Sequence, residues 1–518
     1  MPSTTDPSST SPAQATADMI RGSLWTLISA LSGIPVGFAT NLVVARALGP
    51  VDYGTLGTFA AVLTAATTVL NLGVSQATVQ WIAESRDDAY QPQRLRLLRN
   101  CVGYHALLEG PIVALLVYFL LRSGSTWEWV LGVAAAFASQ AIGTSSVILT
   151  ATARNATAAK LSIVSSVVLQ IVTIVSAVVA RSPITVYSLQ LAAGLLGPVL
   201  CFMVLGREDR AAFRRPLILS GLPPGFMRYG LGACGAALVA NLVYGRSEVF
   251  ILKLNRFQLA TGIFTLATGL AGQITVPMDS VMGPLLPTAA GKLAKAPQSS
   301  STTAVRSLKV ANVLAALTMA TAIPSVYFLM PSLFGLAYKR AQFPFLALGL
   351  VSCVQSITVP LSMLIMARRN AKAIFQVNVV SLAIDAIVAV VLIPFLGLWG
   401  AVIANGAAQM GSIILLLIVS TRHLEITGRR LIGTMPPLAL GGVAALASVE
   451  IVAAFGVGAL IGALLTPVLG LGVLAFGLRL RPDWRISRSD SDLVENVLPS
   501  SMRSAYRGVS TVLCLVAR

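Results

Sequence analysis

The sequence is poor in charge. Only 11% of its 518 residues are Asp, Glu, Lys or Arg, and acids are the scarcer kind, 19 against 37 bases. A water-soluble domain of this length needs a far more polar surface, so the composition excludes a soluble globular protein. Histidine is nearly absent, with His105 and His423 the two copies. The five cysteines, Cys101, Cys201, Cys234, Cys353 and Cys514, form no CxxC pair and fall mostly in apolar runs. They read as small apolar packing residues, and nothing has the spacing of a metal site. There is no GxxxxGK[ST] stretch and no loop long enough for an ATPase domain. No Ser/His/Asp constellation is present either, which disfavours enzyme chemistry.

What is present is apolar sequence in long runs. Hydrophobic residues make up 56% of the chain, and the mean hydropathy is +0.81. Leu24 to Val44 carries no charge and is long enough for the roughly 20 residues that cross a bilayer as helix. Gly49-Pro50 predicts a turn, and Thr55 to Trp81 predicts the return crossing. About fourteen such segments can be marked along the chain, an all-α polytopic membrane protein. The third and fourth are Cys101–Leu121 and Val130–Thr150, the fifth and sixth Leu161–Ala180 and Ile184–Leu205. A basic break follows, with Arg207, Arg210, Arg214, Arg215 and Pro223-Pro224. Segments seven to twelve run from about Gly230 to Ser420, and two more cover Thr434–Phe455 and Gly458–Gly477.

The domain expectation is a disordered cytoplasmic tail over 1–23, a six-helix lobe over 24–205 and a cytoplasmic linker over 206–228. A second six-helix lobe over 229–421, two extra helices over 431–478 and a basic cytoplasmic tail over 479–518 complete it. Met1 to Ile20 has no Lys or Arg, so it is not a signal peptide. With the N-terminus inside, alternate assignment of loops puts roughly 29 of the 37 bases in the cytoplasm and about 7 outside. That asymmetry accounts for the formal charge of +18 without nucleic acid as a partner, and places the chain in the cytoplasmic membrane with both termini inside. No far-side loop is long, which disfavours a membrane-embedded glycan polymerase or glycosyltransferase, and no catalytic Asp pair stands in a cytoplasmic loop. A non-transporting scaffold working through the basic tail is a further alternative.

The two halves carry similar short stretches. Asn41-Leu-Val-Val-Ala-Arg46 matches Asn241-Leu-Val-Tyr-Gly-Arg246, each followed by a glycine that opens the next crossing, Gly54 and Gly262. Ala153-Arg-Asn-Ala156 matches Ala367-Arg-Arg-Asn-Ala371 at the corresponding loops. With six crossings in each half, both enter from the same side. The repeat is then parallel, with a pseudo-two-fold along the membrane normal and a central cavity that can open to either side.

Arg46-Ala-Leu-Gly-Pro-Val-Asp-Tyr-Gly54, with Leu70-Asn-Leu-Gly-Val74, resembles the opening signature of bacterial polysaccharide exporters of the Wzx-type oligosaccharide flippase family. Ala260-Thr-Gly-Ile-Phe-Thr-Leu-Ala267 and Ile393-Pro-Phe-Leu-Gly-Leu-Trp-Gly-Ala401 resemble later parts of the same family, so the likeness spans about Leu24 to Ser420. That family sits in the multidrug/oligosaccharidyl-lipid/polysaccharide superfamily beside the lipid II flippases and the MATE drug exporters. The resemblance implies alternating-access flipping of an undecaprenyl-pyrophosphate-linked glycan for cell-surface polysaccharide. The implied partners are that lipid-linked substrate, membrane lipids, and a polysaccharide polymerase or glycosyltransferases.

A pyrophosphate crossing an apolar layer is helped by Arg, whose paired N–H donors suit phosphate. Arg246 within a segment and Arg46 at its interface are the cationic candidates, against snorkelling or pairing with Glu248 as the bland alternative. Asn71, Gln76 and Gln80 are spaced to share a face of the second crossing and could meet sugar hydroxyls or simply bond between helices. Of the acids inside segments, Asp279, Asp385 and Glu248 are candidates for coupling to Na⁺ or H⁺, with no other cofactor or metal expected. Asp279 lies between Pro277 and Pro284, where a broken helix is expected to free carbonyls. Glu109 and Glu450 are the remaining acids, Glu450 outside the six-plus-six core. A cation-coupled drug exporter should favour acids in its N-terminal lobe, and the first crossing has none. A lipid II flippase is compatible with the two extra helices.

Overall fold

The computed structural model describes residues 12–84, 91–152, 154–243, 247–282, 300–367, 370–424, 426–481, 484–485, 503–504 and 507–508. Within them the protein is all α. The N-terminal half holds α1 (Pro12–Leu70), α2 (Val74–Glu84), α3 (Gln91–Tyr104), a π-turn at His105–Glu109, α4 (Gly110–Leu121), α5 (Thr126–Ala151), α6 (Asn155–Ala180), α7 (Pro183–Gly194) and α8 (Leu196–Val204). A short α9 (Arg207–Arg214) leads to α10 (Phe226–Val243), α11 (Ser247–Leu254) and α12 (Gln258–Met282). Then come α13 (Ser300–Phe334), a 3₁₀ turn at Leu336–Ala341, α14 (Gln342–Gln355), α15 (Thr358–Ala367), α16 (Ala371–Leu396) and α17 (Leu398–His423). The last are α18 (Gly428–Ile432), α19 (Pro436–Ala454) and α20 (Ala459–Leu480).

Twelve helical stretches among the described residues are long and apolar enough to cross a membrane, where the sequence suggested about fourteen. The difference has two sources. The stretch Gly33–Leu70 is counted once, yet Gly49 inside it has φ 74° and ψ 171°, a non-helical geometry that breaks α1 at the predicted Gly49-Pro50 turn. Glycine tolerates this positive φ because it has no Cβ. The second source is the seventh segment. Phe226–Val239 is a shorter apolar helix, and residues 244–246, between α10 and α11, lie outside the described residues.

Other boundaries moved for local reasons. The helix begins at Pro12, within the stretch read as a tail. The second crossing is not continuous to Trp81: α1 stops at Leu70, and Leu72 and Gly73 take positive φ (46° and 72°) before α2 resumes. α12 runs unbroken through Pro277 to Met282, so the broken helix expected around Asp279 is absent from that point upstream; the Asp279 side chain and Pro284 lie outside the described residues.

The packing is that of a membrane bundle. Large apolar side chains recur on outward faces at helical spacing: Val164, Ile171, Val175 and Val178 on α6, and Ile387, Val391 and Phe395 on α16, all exposed. In lipid these faces need no protein cover, so helices associate through close packing of small residues instead. α19 and α20 lie along α13 in this way. A Cβ on Gly441 would collide with the backbone of Ala316, and one on Gly470 with that of Ala320. Helix starts follow their capping residues. Ser125 and Glu128 form a capping box at α5, and the Asn370 side chain accepts from Ala373 N at the start of α16.

The basic linker is pinned to the N-terminal half. Arg94 on α3 pairs with Asp209 on α9 at 2.5 Å. Asn100 donates to Ser220 O at 3.0 Å and accepts from Ser220 N at 2.7 Å, while Leu217 N donates to Arg99 O at 3.0 Å.

Candidate functional site

The two halves meet around a cavity of about 370 Å³. From α1 it takes Thr40 and Asn41 before the Gly49 break and Tyr53 after it. From α6 and α7 it takes Gln170, Thr173 and Gln190, and from α12 Thr265, Thr268 and Gln273. Its polar lining is amide and hydroxyl, and none of the lining residues is charged. Most hydroxyls are satisfied by their own helix, as in Thr173 donating to Leu169 O at 2.7 Å and Thr268 to Phe264 O at 2.8 Å. Their lone pairs and the three Gln amides remain to meet a polar guest.

One end of this cavity is sealed. Gly54 and Gly57 of α1 lie against Gly262 and Thr265 of α12, and a Cβ on Gly262 would overlap the Pro50 carbonyl. Beyond that crossing, α1 meets the junction of α13 and α14. Phe38 packs edge-on to Phe334 with centroids 6.1 Å apart, and Tyr53 edge-on to Tyr338 at 6.5 Å. Tyr338 donates to Ala45 O at 3.2 Å, and Tyr53 to Asn41 Oδ1 at 3.2 Å. Each aromatic pair contributes about 0.5–1.5 kcal/mol beyond its buried area. The glycines paired by the sequence repeat, Gly54 and Gly262, thus touch one another.

Arg46 lies at this seal, exposed, with Nη1 donating to Leu333 O at 3.4 Å. It does not line the cavity. Arg246 lies outside the described residues. Asn71, Gln76 and Gln80 do not line the cavity either. Asn71 sits in the turn between α1 and α2 and donates to Ser75 Oγ at 3.2 Å, Gln76 is exposed, and Gln80 is half-buried with a partner of its own. Gln170, Gln190 and Gln273 escaped the sequence reading. Their signal was the same as that of Asn71, an amide inside an apolar run, but which face it occupies depends on how the helices are rotated.

Two buried polar clusters lie outside this lining. In the C-terminal half, Glu248 on α11 and Asp385 on α16 are fully buried and adjacent. The Ser247 hydroxyl bonds Asp385 Oδ2 and lies 3.1 Å from Glu248 Oε2. Asn405 and Gln409 of α17 stand beside them, with Gln409 Nε2 donating to Asn405 Oδ1 at 2.5 Å. Glu248 Oε1, Asp385 Oδ1, Gln409 Oε1 and Asn405 Nδ2 are all buried without a hydrogen-bond partner. No ion pair to either carboxylate occurs among the described residues. Asn405 and Gln409 also border a second polar cavity of about 380 Å³, which shares Thr268 with the first. In the N-terminal half, His105 and Glu109 form a buried pair on the π-turn of the third crossing. Among the described residues no group of three His, Cys, Asp or Glu is placed to hold a metal ion.

A polar cavity between two halves of a multi-pass helical bundle, sealed at one end, has the form of a membrane transporter. The comparisons agree. The chain belongs to the polysaccharide biosynthesis protein family, whose model matches residues 19–290, just over half of its length. Its fold is similar to that of the lipid II flippase MurJ in an inward closed conformation, with a TM-score of 0.62 and 13% identity over 88% of this chain and 98% of that one. It is also similar to an inward-facing multidrug resistance MATE family transporter of the MOP superfamily (TM-score 0.54, 14% identity, 77% of this chain and 99% of that one). The Vibrio cholerae MATE transporter VcmN gives a TM-score of 0.52 at 15% identity, over 79% and 99%. No curated protein matches the sequence. The fold is the one these transporters share.

Proposed function

We propose that this protein flips a lipid-linked oligosaccharide, an undecaprenyl-pyrophosphate glycan, across the cytoplasmic membrane by alternating access, for export of a cell-surface polysaccharide. The observation that carries this reading is the uncharged amide and hydroxyl lining of a cavity shared by both halves of the chain. Sugar hydroxyls donate and accept, and Gln amides can answer both roles. A cationic drug would call for a carboxylate in the same place, and the lining has none. In this reading the chain crosses the membrane fourteen times. The Gly49 break divides the first long helix into two crossings, and α10 with α11 forms the seventh. Two six-helix lobes then stand around a pseudo-two-fold, with α19 and α20 as an added pair on α13. The distribution of Lys and Arg supports an N-in, C-in topology, which puts the sealed end outside and Arg46 at the outer rim.

The cargo's pyrophosphate needs a cation. Arg46 serves it as the outer seal opens, and Arg246 from within the seventh crossing; Asn71, Gln76 and Gln80 would contact glycan only in another conformation. The energy source is a monovalent cation, Na⁺ or H⁺, taken up by Glu248 and Asp385. Two adjacent buried carboxylates cannot both stay ionised without a counter-charge. The unpartnered Glu248 Oε1 and Asp385 Oδ1 suit a hard cation or a proton, and the unpartnered Asn405 amide nitrogen suits the carboxylate that remains charged. Asp279 is a second coupling candidate on sequence grounds.

Complementation tests the reading. In a strain lacking its polysaccharide flippase, the wild type should restore surface glycan. Gln170→Ala and Gln273→Ala should each lower the rate about tenfold, the effect of one lost hydrogen bond of about 1.4 kcal/mol. Arg46→Ala should lower it with normal membrane insertion. Rescue of a strain depleted of its lipid II flippase, without rescue of the first, would assign the cargo to peptidoglycan precursor instead.

A further inference from the structure

The N-terminal half contains a buried chain of side chains centred on His105 and Glu109, two residues that the transport reading does not use. Glu109 Oε2 bonds His105 Nδ1 across one turn, and both residues are more than nine-tenths buried. His105 Nε2 lies 2.9 Å from Ser75 Oγ on α2, and Asn71 Nδ2 donates to the same oxygen at 3.2 Å. Asn71 Oδ1, at the end of the chain, is buried and has no partner. The pair sits on a π-turn, where Gly110 N bonds His105 O rather than the residue four back. Such turns are rare and recur at functional sites.

The other end of the chain is a joint. Asn71 begins the turn that interrupts the second crossing, and the next two residues hold positive φ. Gly73 in that turn is packed on the Gly230 carbonyl of α10, so closely that no side chain could replace its hydrogen. Two turns further, Trp81 of α2 packs on Phe226 and Tyr229 of α10, with centroids 5.5 and 5.7 Å apart. The Cys234 thiol of α10 donates to Thr68 O at 3.2 Å, just before the turn. The polar chain therefore runs from a buried histidine to the seam between the two halves.

The donors and acceptors along this chain fix what a proton would do here. A carboxylate facing Nδ1 fixes the ring hydrogen on that nitrogen. Neutral His105 then accepts the Ser75 hydroxyl hydrogen at Nε2, Ser75 Oγ accepts from the Asn71 amide, and Asn71 Oδ1 is left over, as found. A proton added at Nε2 reverses the link. Nε2–H now donates to Ser75 Oγ, and the Ser75 hydroxyl hydrogen must turn to a new acceptor. The unpartnered Asn71 Oδ1 is that acceptor, reached if the amide turns over. The proton also brings the His105–Glu109 pair from a net charge of minus one to zero in an apolar surround.

We infer that His105 and Glu109 form a proton-binding site whose occupancy is relayed through Ser75 and Asn71 to the α1–α2 joint, and so to the seam between the halves. The titratable groups facing the pair are Cys101 and Tyr104 on its own crossing and Cys234 on α10. Tyr104 is occupied in bonding Leu70 O. α5, packed against the π-turn, has one acid, Glu128, held at its start by Ser125 and Thr185, and α4 has only Tyr118, packed on Trp129. The site is independent of which cargo the cavity takes.

Trp81 reports on the seam. Intrinsic fluorescence of the full chain in nanodiscs, taken as the difference between wild type and Trp81→Phe, is titrated from about pH 5 to pH 9. One transition is expected in the wild type and in Asp385→Asn. It should vanish in His105→Gln, Glu109→Gln and Ser75→Ala, with thermal unfolding confirming that each variant is folded. Ser75→Ala keeps the His–Glu pair and removes only the relay, so it carries the test should the pair variants fail to fold. A transition that survives in Ser75→Ala reports direct quenching or another group, and overturns the inference. So does a wild type with no transition, or its loss in Asp385→Asn.

Discussion

The two buried polar clusters solve one electrostatic problem in opposite ways. In the N-terminal half Glu109 has a histidine beside it on the next turn of helix, and a hydroxyl and an amide continue the chain. In the C-terminal half Glu248 and Asp385 come from separate helices and meet with only a hydroxyl and two amides around them. The first cluster contains its own counter-charge and can neutralise itself by taking a proton. In the proposed coupling the second takes its counter-charge, a proton or Na⁺, from solution. A buried charge left uncompensated costs several kcal/mol, so the second cluster makes the stability of its half depend on what the solution contains.

The largest effect should come from removing one of the two unpaired carboxylates. Asp385→Asn should lower flipping by about 100-fold, a coupling of nearly 3 kcal/mol. It should also abolish any rise in unfolding temperature on adding Na⁺; at 100 times its Kd a bound cation stabilises the wild type by about 2.7 kcal/mol. Unchanged thermal response in Asp385→Asn would dissolve the contrast between the clusters. Next in size, Asn405→Lys gives the second cluster a covalent cation and so makes it resemble the first. The variant should unfold at the same temperature with and without Na⁺ while flipping stops, because a cation that cannot leave cannot couple. Glu109→Gln should be smaller, about 1–3 kcal/mol of stability, since neutral His105 tolerates an amide partner. Its response to Na⁺ should match the wild type. Smallest is Arg94→Ala, which removes a partly exposed ion pair between α3 and the linker. Exposed pairs contribute about 0–1 kcal/mol, and the expected shift in unfolding temperature is a degree or two.

Much of this contrast could be located in the sequence but not understood from it. Glu109, Glu248 and Asp385 stand out as acids in apolar runs, and that alone marks them as costly and in need of partners. Glu248 and Asp385 are 137 positions apart, so their adjacency exists only once α11 and α16 pack. His105 read as a lone histidine, although Glu109 stands at i+4, because the run around it gave no reason to expect a buried polar chain. The partner that gives the pair its interest, Ser75, lies 30 residues away across a turn. Asn71 was singled out as a residue to meet sugar hydroxyls or to bond between helices, and in the structure its amide donates to Ser75 across the α1–α2 turn.

The sequence by itself determined that this chain is a multi-pass helical membrane protein, where it turns at Gly49-Pro50, and which glycines recur in its two halves. Those properties are local: hydropathy and backbone freedom act over a few residues and need no partner. The family, too, is carried by local stretches in its first half. Only the tertiary structure decided which amides face the cavity, that Gly54 rests on Gly262, and which carboxylate has a histidine and which has none. A helix in lipid can turn any face toward its neighbours at small cost in apolar area. Rotation is therefore set by close packing and buried hydrogen bonds between helices far apart in the chain.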